Sequence, residues 1–187
     1  IPARFAEPGL FQASKLGTYL TLISYSFLHA NLTHIVLNVI TMLAFGSIAA
    51  WRLGLAKFLI LSAICSIGGG LLHLASHWGE LVPVIGASAV VSGHMAVAVR
   101  FLDKRNSFFL ARGVSVRSLT PMGIPQILKS QTALVFLGFW VAINLIIGLG
   151  GDALGEELSR IAWQAHFGGF IAGFVVFPFL DNRFSRA

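Results

Sequence analysis

The stretch PVIGASAVVSGHMAVAVRFL, residues 83–102, decides the fold. It is apolar enough for a membrane interior, yet Pro83 and Gly86 argue against helix before Ser88. A helix starting near Ser88 has about 14 residues to Leu102, roughly 21 Å of rise. That is too short to cross a hydrocarbon core about 30 Å thick. Ser88 would then stand at a helix N-terminus below the outer surface. Irregular backbone at that depth is tolerated only where protein or a water-filled cavity surrounds it. Hydrolytic chemistry needs such a cavity, and a helix N-terminus offers free N–H groups to a developing oxyanion.

The rest of the chain supplies the surroundings. Of 187 residues 56% are hydrophobic and 11% charged, with mean hydropathy +0.83. A soluble domain carries about 25% charged residues; this chain has too few to coat a water-facing surface, and its length suits one domain. The net charge is +6, but the basic residues flank apolar runs instead of forming a face, which argues against a nucleic-acid partner. Cys65 is single, so it makes no intrachain disulfide and reads as a small packing residue.

Five segments suit a bilayer: 34–51, 57–75, 85–102, 132–150 and 161–180. The fold class expected is all-α, a polytopic membrane helix bundle. Arg52, Lys57, Arg100, Lys104, Arg105, Arg112, Arg117, Lys129, Arg183 and Arg186 follow the first, third and fifth spans, ten of the thirteen basic residues. The positive-inside rule puts 103–131, read as a loop touching anionic lipid, and the C-terminus in the cytoplasm. The N-terminus then lies outside, so a further span is expected before Ile1 in the intact protein. Residues 1–33 mix apolar and polar positions and read as an outer interfacial segment.

Polar side chains within spans are costly and point to function. Counted from the cytoplasmic ends at 1.5 Å per residue, Ser88 lies roughly 18 Å up, Asn38 roughly 21 Å and His166 roughly 22 Å. A hydroxyl, an amide and an imidazole thus share one level. Ser88, Ser92 and Ala96 at i, i+4 and i+8, and the G-x-x-x-G of Gly169 and Gly173, are small-residue faces that let helices approach. If those faces meet, His166 can take the Ser88 proton and later protonate a leaving amine. No Asp or Glu lies at that depth, so a dyad is expected. His34 and Asn38, four apart on one helical face, can complete an oxyanion hole.

These residues together resemble the rhomboid family of intramembrane serine proteases. His29-Ala-Asn-Leu-Thr-His34-Ile-Val-Leu-Asn38 is similar to its H-x4-H-x3-N motif, Gly86-Ala-Ser88-Ala89 to G-x-S-x, and Ala165-His166-Phe-Gly-Gly169-Phe-Ile-Ala-Gly173 to A-H-x-x-G-x-x-x-G. The resemblance implies a six-helix core, of which five spans are present here and the first is missing. It implies Ser88 as nucleophile, His166 as general base and acid, and His34, Asn38 and the Ser88 backbone as oxyanion donors. His29, Gly86, Gly169 and Gly173 support them. It implies no metal or cofactor, transmembrane protein substrates, and a multi-pass place in a membrane, here expected to be a bacterial inner membrane. Two positions and one missing pair depart from the pattern. Ala89 stands where Gly is usual, Ser92 where a Tyr often stacks on the histidine, and the outer-loop Trp-Arg pair is absent around 18–24.

Other readings compete. An inactive rhomboid-like protein would bind membrane clients uncut. The six histidines raise a haem or metal protein, but thiolate and carboxylate partners are missing. A transporter would want an internal repeat, and none is visible. His73 and His77 read as outer-interface residues, His94 as a packed or cavity-facing polar residue, Gly68-Gly69-Gly70 as a kink or close contact, and Asn144 as an interhelical hydrogen-bonding group. Residues 153–162 with the outer part of the fourth span, through Gly148-Leu-Gly-Gly151, are the expected gate.

Overall fold

The computed structural model describes residues 1–7, 9, 14–150 and 161–182, with the side chains of 107–109 left aside. All regular structure among the described residues is helical. A short α1 (Pro2–Ala6) precedes α2 (Lys15–Ser24), whose N-cap Ser14 accepts from the Gly17 N–H at 3.0 Å. Helix α3 (Leu32–Leu53) starts at Asn31, which accepts from the His34 N–H at 2.8 Å, and passes through one π-helical turn at Met42–Gly46. Gly54, at φ +78°, ends it and turns the chain directly into α4 (Leu55–Ser76). Then come α5 (Ser88–Val99), α6 (Lys104–Ala111), α7 (Ile124–Ile127), α8 (Gln131–Gly150) and α9 (Trp163–Leu180).

Four of these helices, α3, α4, α8 and α9, are long and apolar enough to cross a membrane. Their outward faces carry Leu37, Val39, Ile40, Val135, Phe139 and Ile146, all more than half exposed. Lipid is the solvent such a surface suits. Helix α5 is different. It has 12 residues, and ten of them are buried. It need not span because it does not meet lipid: α4, α9 and the π turn of α3 enclose it.

Glycine brings the enclosing backbones close. A Cβ on Gly169 would collide with the Ala89 backbone, one on Gly173 with that of Gly93, and one on Gly168 with the Gly68 carbonyl. The face of α5 that meets Gly169 and Gly173 is therefore Ala89 and Gly93. It lies one residue on from the Ser88, Ser92, Ala96 face that the small-residue pattern suggests. Ser88 instead turns toward His166, and the adjacent face takes the backbone contact. The Gly68-Gly69-Gly70 run is a contact surface: Gly68 abuts Ala172, Gly69 abuts Ala89 and Ala165, and Gly70 abuts Leu22.

Residues 103–131 are more than a loop. Asp103 caps α6 by accepting from the Asn106 N–H at 2.7 Å, and Val116, Leu119, Met122 and Ile127 are buried under the bundle. Arg52, 8% exposed, pairs with Asp181 at 2.9 Å and donates to the Val116, Arg117 and Leu119 carbonyls. Arg100 donates to the carbonyls of Met122 and Phe174 and lies 4.2 Å over the Phe174 ring. Two of the cations that mark this end of the bundle thus also clamp it.

Candidate active site

Ser88 is the first residue of α5, and the backbone before it is irregular, as Pro83 and Gly86 require. Gly86 sits at φ +106°, a conformation side chains rarely adopt, and its N–H donates to the Tyr25 carbonyl at 3.0 Å. Tyr25 is 3% exposed; its hydroxyl donates to the Ser66 carbonyl at 2.8 Å, and burial pushes it up to about 12, so it stays a neutral donor. Through Tyr25, residues of the 1–33 segment tie the turn before Ser88 to α4. Sequence reasoning missed this strut, because a lone Tyr near a 3-10 turn carries no motif.

The Ser88 Oγ lies 2.9 Å from His166 Nε2, across the contact between α5 and α9. Both side chains are partly exposed, so a reacting group can reach them. On its far side His166 Nδ1 lies 2.7 Å from Asn144 Oδ1 on α8. Asn144 is 5% exposed, and its Nδ2 donates to the Trp140 carbonyl at 2.8 Å. Asn144 does bond between helices, and its partner is the histidine itself. A depth count gives the level of Asn144 though not its partner. Asn144 stands 13 residues above Gln131, roughly 20 Å, the level of the other three groups.

On the opposite side, His34 and Asn38 face the turn before the serine. A Cβ on Gly86 would come within 2.6 Å of His34 Nε2 and 3.6 Å of Asn38 Nδ2. Only glycine lets that backbone sit so close. Asn38 is 6% exposed and spends one amide hydrogen on the His34 carbonyl at 2.9 Å, leaving the second free. His34 Nδ1 accepts from the Ala30 N–H at 3.4 Å, so Nε2 carries the proton and can donate. The His29 ring packs edge-on against His34, centroids 5.0 Å apart.

The departures find local explanations. The Ala89 methyl meets α4 in space that Gly69 leaves open. Ser92 donates back to the Ser88 carbonyl at 2.8 Å, a bond within α5. The histidine it leaves without a stacked tyrosine is held by Asn144 instead. Of the two readings of His94, the structure has the packed one: it stacks on Phe58 at 4.8 Å and bonds Ser62 at 3.1 Å. His73 is fully buried in the last turn of α4, 3.3 Å from the Val82 carbonyl, while His77 pairs with Glu80 and Gln164. Among the described residues, His, Cys, Asp and Glu form no group of three or more that could hold a metal ion. Residues 151–160 of the expected gate lie outside the described residues. Gly148 at its edge is a contact glycine, abutting the Trp163 ring.

The Rhomboid domain model matches residues 16–182. The chain is similar to RHOMBOID-like protein 5 of Arabidopsis thaliana, 29% identical over 154 residues, which are 82% of this chain and 41% of the relative. It thus spans about two fifths of the length of that curated relative. No solved structure matches it. With a helical bundle of membrane-crossing length and a family model covering nearly all of its sequence, the chain is a multi-pass integral membrane protein and belongs to the rhomboid family.

Proposed function

We propose that the protein is an intramembrane serine endopeptidase that cuts transmembrane protein substrates through a Ser88–His166 dyad. The observation that carries this reading is the 2.9 Å Ser88 Oγ–His166 Nε2 contact at the start of a short, enclosed helix. Ser88 Oγ attacks the scissile carbonyl while His166 Nε2 takes its proton. The oxyanion is met by the Ser88 N–H and by donors from His34 and Asn38. His166 then protonates the leaving amine, and water, deprotonated by the same imidazole, releases the acyl group from Ser88. His29 and Gly86 hold the oxyanion side; Gly169 and Gly173 hold α9 against α5.

The chemistry asks for no cofactor and no metal. The chain acts as one membrane domain, with residues 1–33 on the outer interface and 103–131 and the C-terminus on the cytoplasmic side of a bacterial inner membrane. The basic residues around Arg52, Arg100 and Arg117 support that orientation. Reconstitution with single-span transmembrane peptides tests the activity. Wild type yields discrete fragments by mass spectrometry and Ser88→Ala yields none. Substrate bound by wild type and left whole would favour the inactive, client-binding relative instead.

A further inference from the structure

A histidine that accepts the Ser88 proton must present a bare Nε2, and therefore carry its own proton on Nδ1. In a soluble serine hydrolase a buried carboxylate enforces that choice. Here the expected depth offers no carboxylate, and the group facing Nδ1 is the Asn144 amide, 2.7 Å away. An amide has two unlike ends, so its orientation decides everything. The Trp140 carbonyl can only accept, and Asn144 Nδ2 lies 2.8 Å from it. That bond turns the nitrogen toward Trp140 and leaves the oxygen for His166. An oxygen at Nδ1 requires a proton there, and Nε2 is then the bare base facing Ser88 at 2.9 Å.

We infer that Asn144 is the positioning residue of the catalytic base, its amide oxygen selecting the His166 tautomer that can deprotonate Ser88. The inference rests on the protease reading and adds a third member to the dyad. The chain of bonds runs Trp140 carbonyl, Asn144, His166, Ser88, and crosses from α8 to α9 to α5. Trp140 is itself fixed, its ring stacked on Phe170 at 4.6 Å and against Phe167 at 5.0 Å. When Nε2 takes the serine proton, the imidazolium gains the full dipole of the amide oxygen. A neutral amide gives this help without a buried charge, which hydrocarbon penalises. It also explains how His166 keeps its orientation while Ser92 bonds within its own helix. Because Asn144 belongs to α8 and His166 to α9, the base is primed when those two helices are in contact.

The test uses the full chain in detergent with two replacements. Asn144→Leu keeps the size and removes the acceptor. Asn144→Asp keeps an oxygen and, protonated, reproduces both bonds. The probe is a fluorophosphonate, with labelling rate separated from probe affinity by varying its concentration. Asn144→Leu is expected to slow the maximal rate ~100-fold, the scale of a misplaced catalytic group, with affinity unchanged. Asn144→Asp is expected to stay near wild type. Nitrogen-15 NMR of labelled histidine, with His166→Gln to assign the signal, reads the tautomer independently of activity. It should show Nδ1–H in wild type and a mixture in Asn144→Leu. Equal labelling rates in wild type and Asn144→Leu, or an Nε2–H tautomer in wild type, would overturn the inference. Wild type that never labels would defeat the protease reading, while the NMR signal would still decide the Asn144 contact.

Discussion

Asn38 illustrates how a single amide can serve two ends. One hydrogen is tied to the His34 carbonyl and fixes the side chain, while the other remains for an oxyanion beside the Gly86 turn. On the proposed mechanism Asn38→Ala leaves the fold in place and slows cleavage about 100-fold, since one oxyanion donor is commonly worth that much. Initial rates on a reconstituted peptide check it, and a rate within twofold of wild type would remove Asn38 from the mechanism. That Ser88 and His166 meet, with His34 and Asn38 beside the Gly86 turn, was foreshadowed in the sequence because polar atoms in apolar helices announce themselves and depth can be counted. The bond from Asn144 to His166 was not, although the place of Asn144 in a span was plain. What a buried amide bonds to depends on the rotation of two helices about their axes, and hydropathy carries no trace of that.

At the scale of elements, glycine and alanine set the spacing of α4, α5 and α9. Ala89 and Gly69 form a complementary pair, a methyl on one helix filling what the other lacks. Gly69→Ala is therefore expected to destabilise the bundle by about 1–3 kcal/mol through overpacking, read as a lowered unfolding midpoint in detergent. Adding Ala89→Gly should restore part of that loss. An additive double variant would show that the two positions do not share space. The positions of the helices were readable to within a few residues. Segments expected at 34–51, 57–75 and 132–150 became Leu32–Leu53, Leu55–Ser76 and Gln131–Gly150. Which face of α5 meets α9 was not readable. Ser88, Ser92, Ala96 and Ala89, Gly93 are both small-residue rows, and the choice between them falls to the serine's own hydrogen bond. The folding of 103–131 under the bundle escaped too, since its helices are short and its burial comes from tertiary contacts with Arg52 and Arg100.

For the whole molecule, the short buried helix carries the organisation. α5 brings a serine part-way into the bundle, and the longer helices shield it from lipid. Orientation follows from charge in the proposed reading. In intact cells, with Cys65→Ala as background, Ser118→Cys should resist a membrane-impermeant maleimide until permeabilisation, while Ser76→Cys reacts at once. The reverse pattern would invert the topology. Both positions are exposed at opposite ends of the bundle.

Activation of Ser88 by His166 is the central claim, and its most direct test needs no substrate. The solubilised protein is treated with a fluorophosphonate probe beside its Ser88→Ala and His166→Ala versions. The geometry predicts strong labelling of wild type and none of either variant. Labelling that persists in Ser88→Ala, or a folded wild type that takes up no probe, would contradict it.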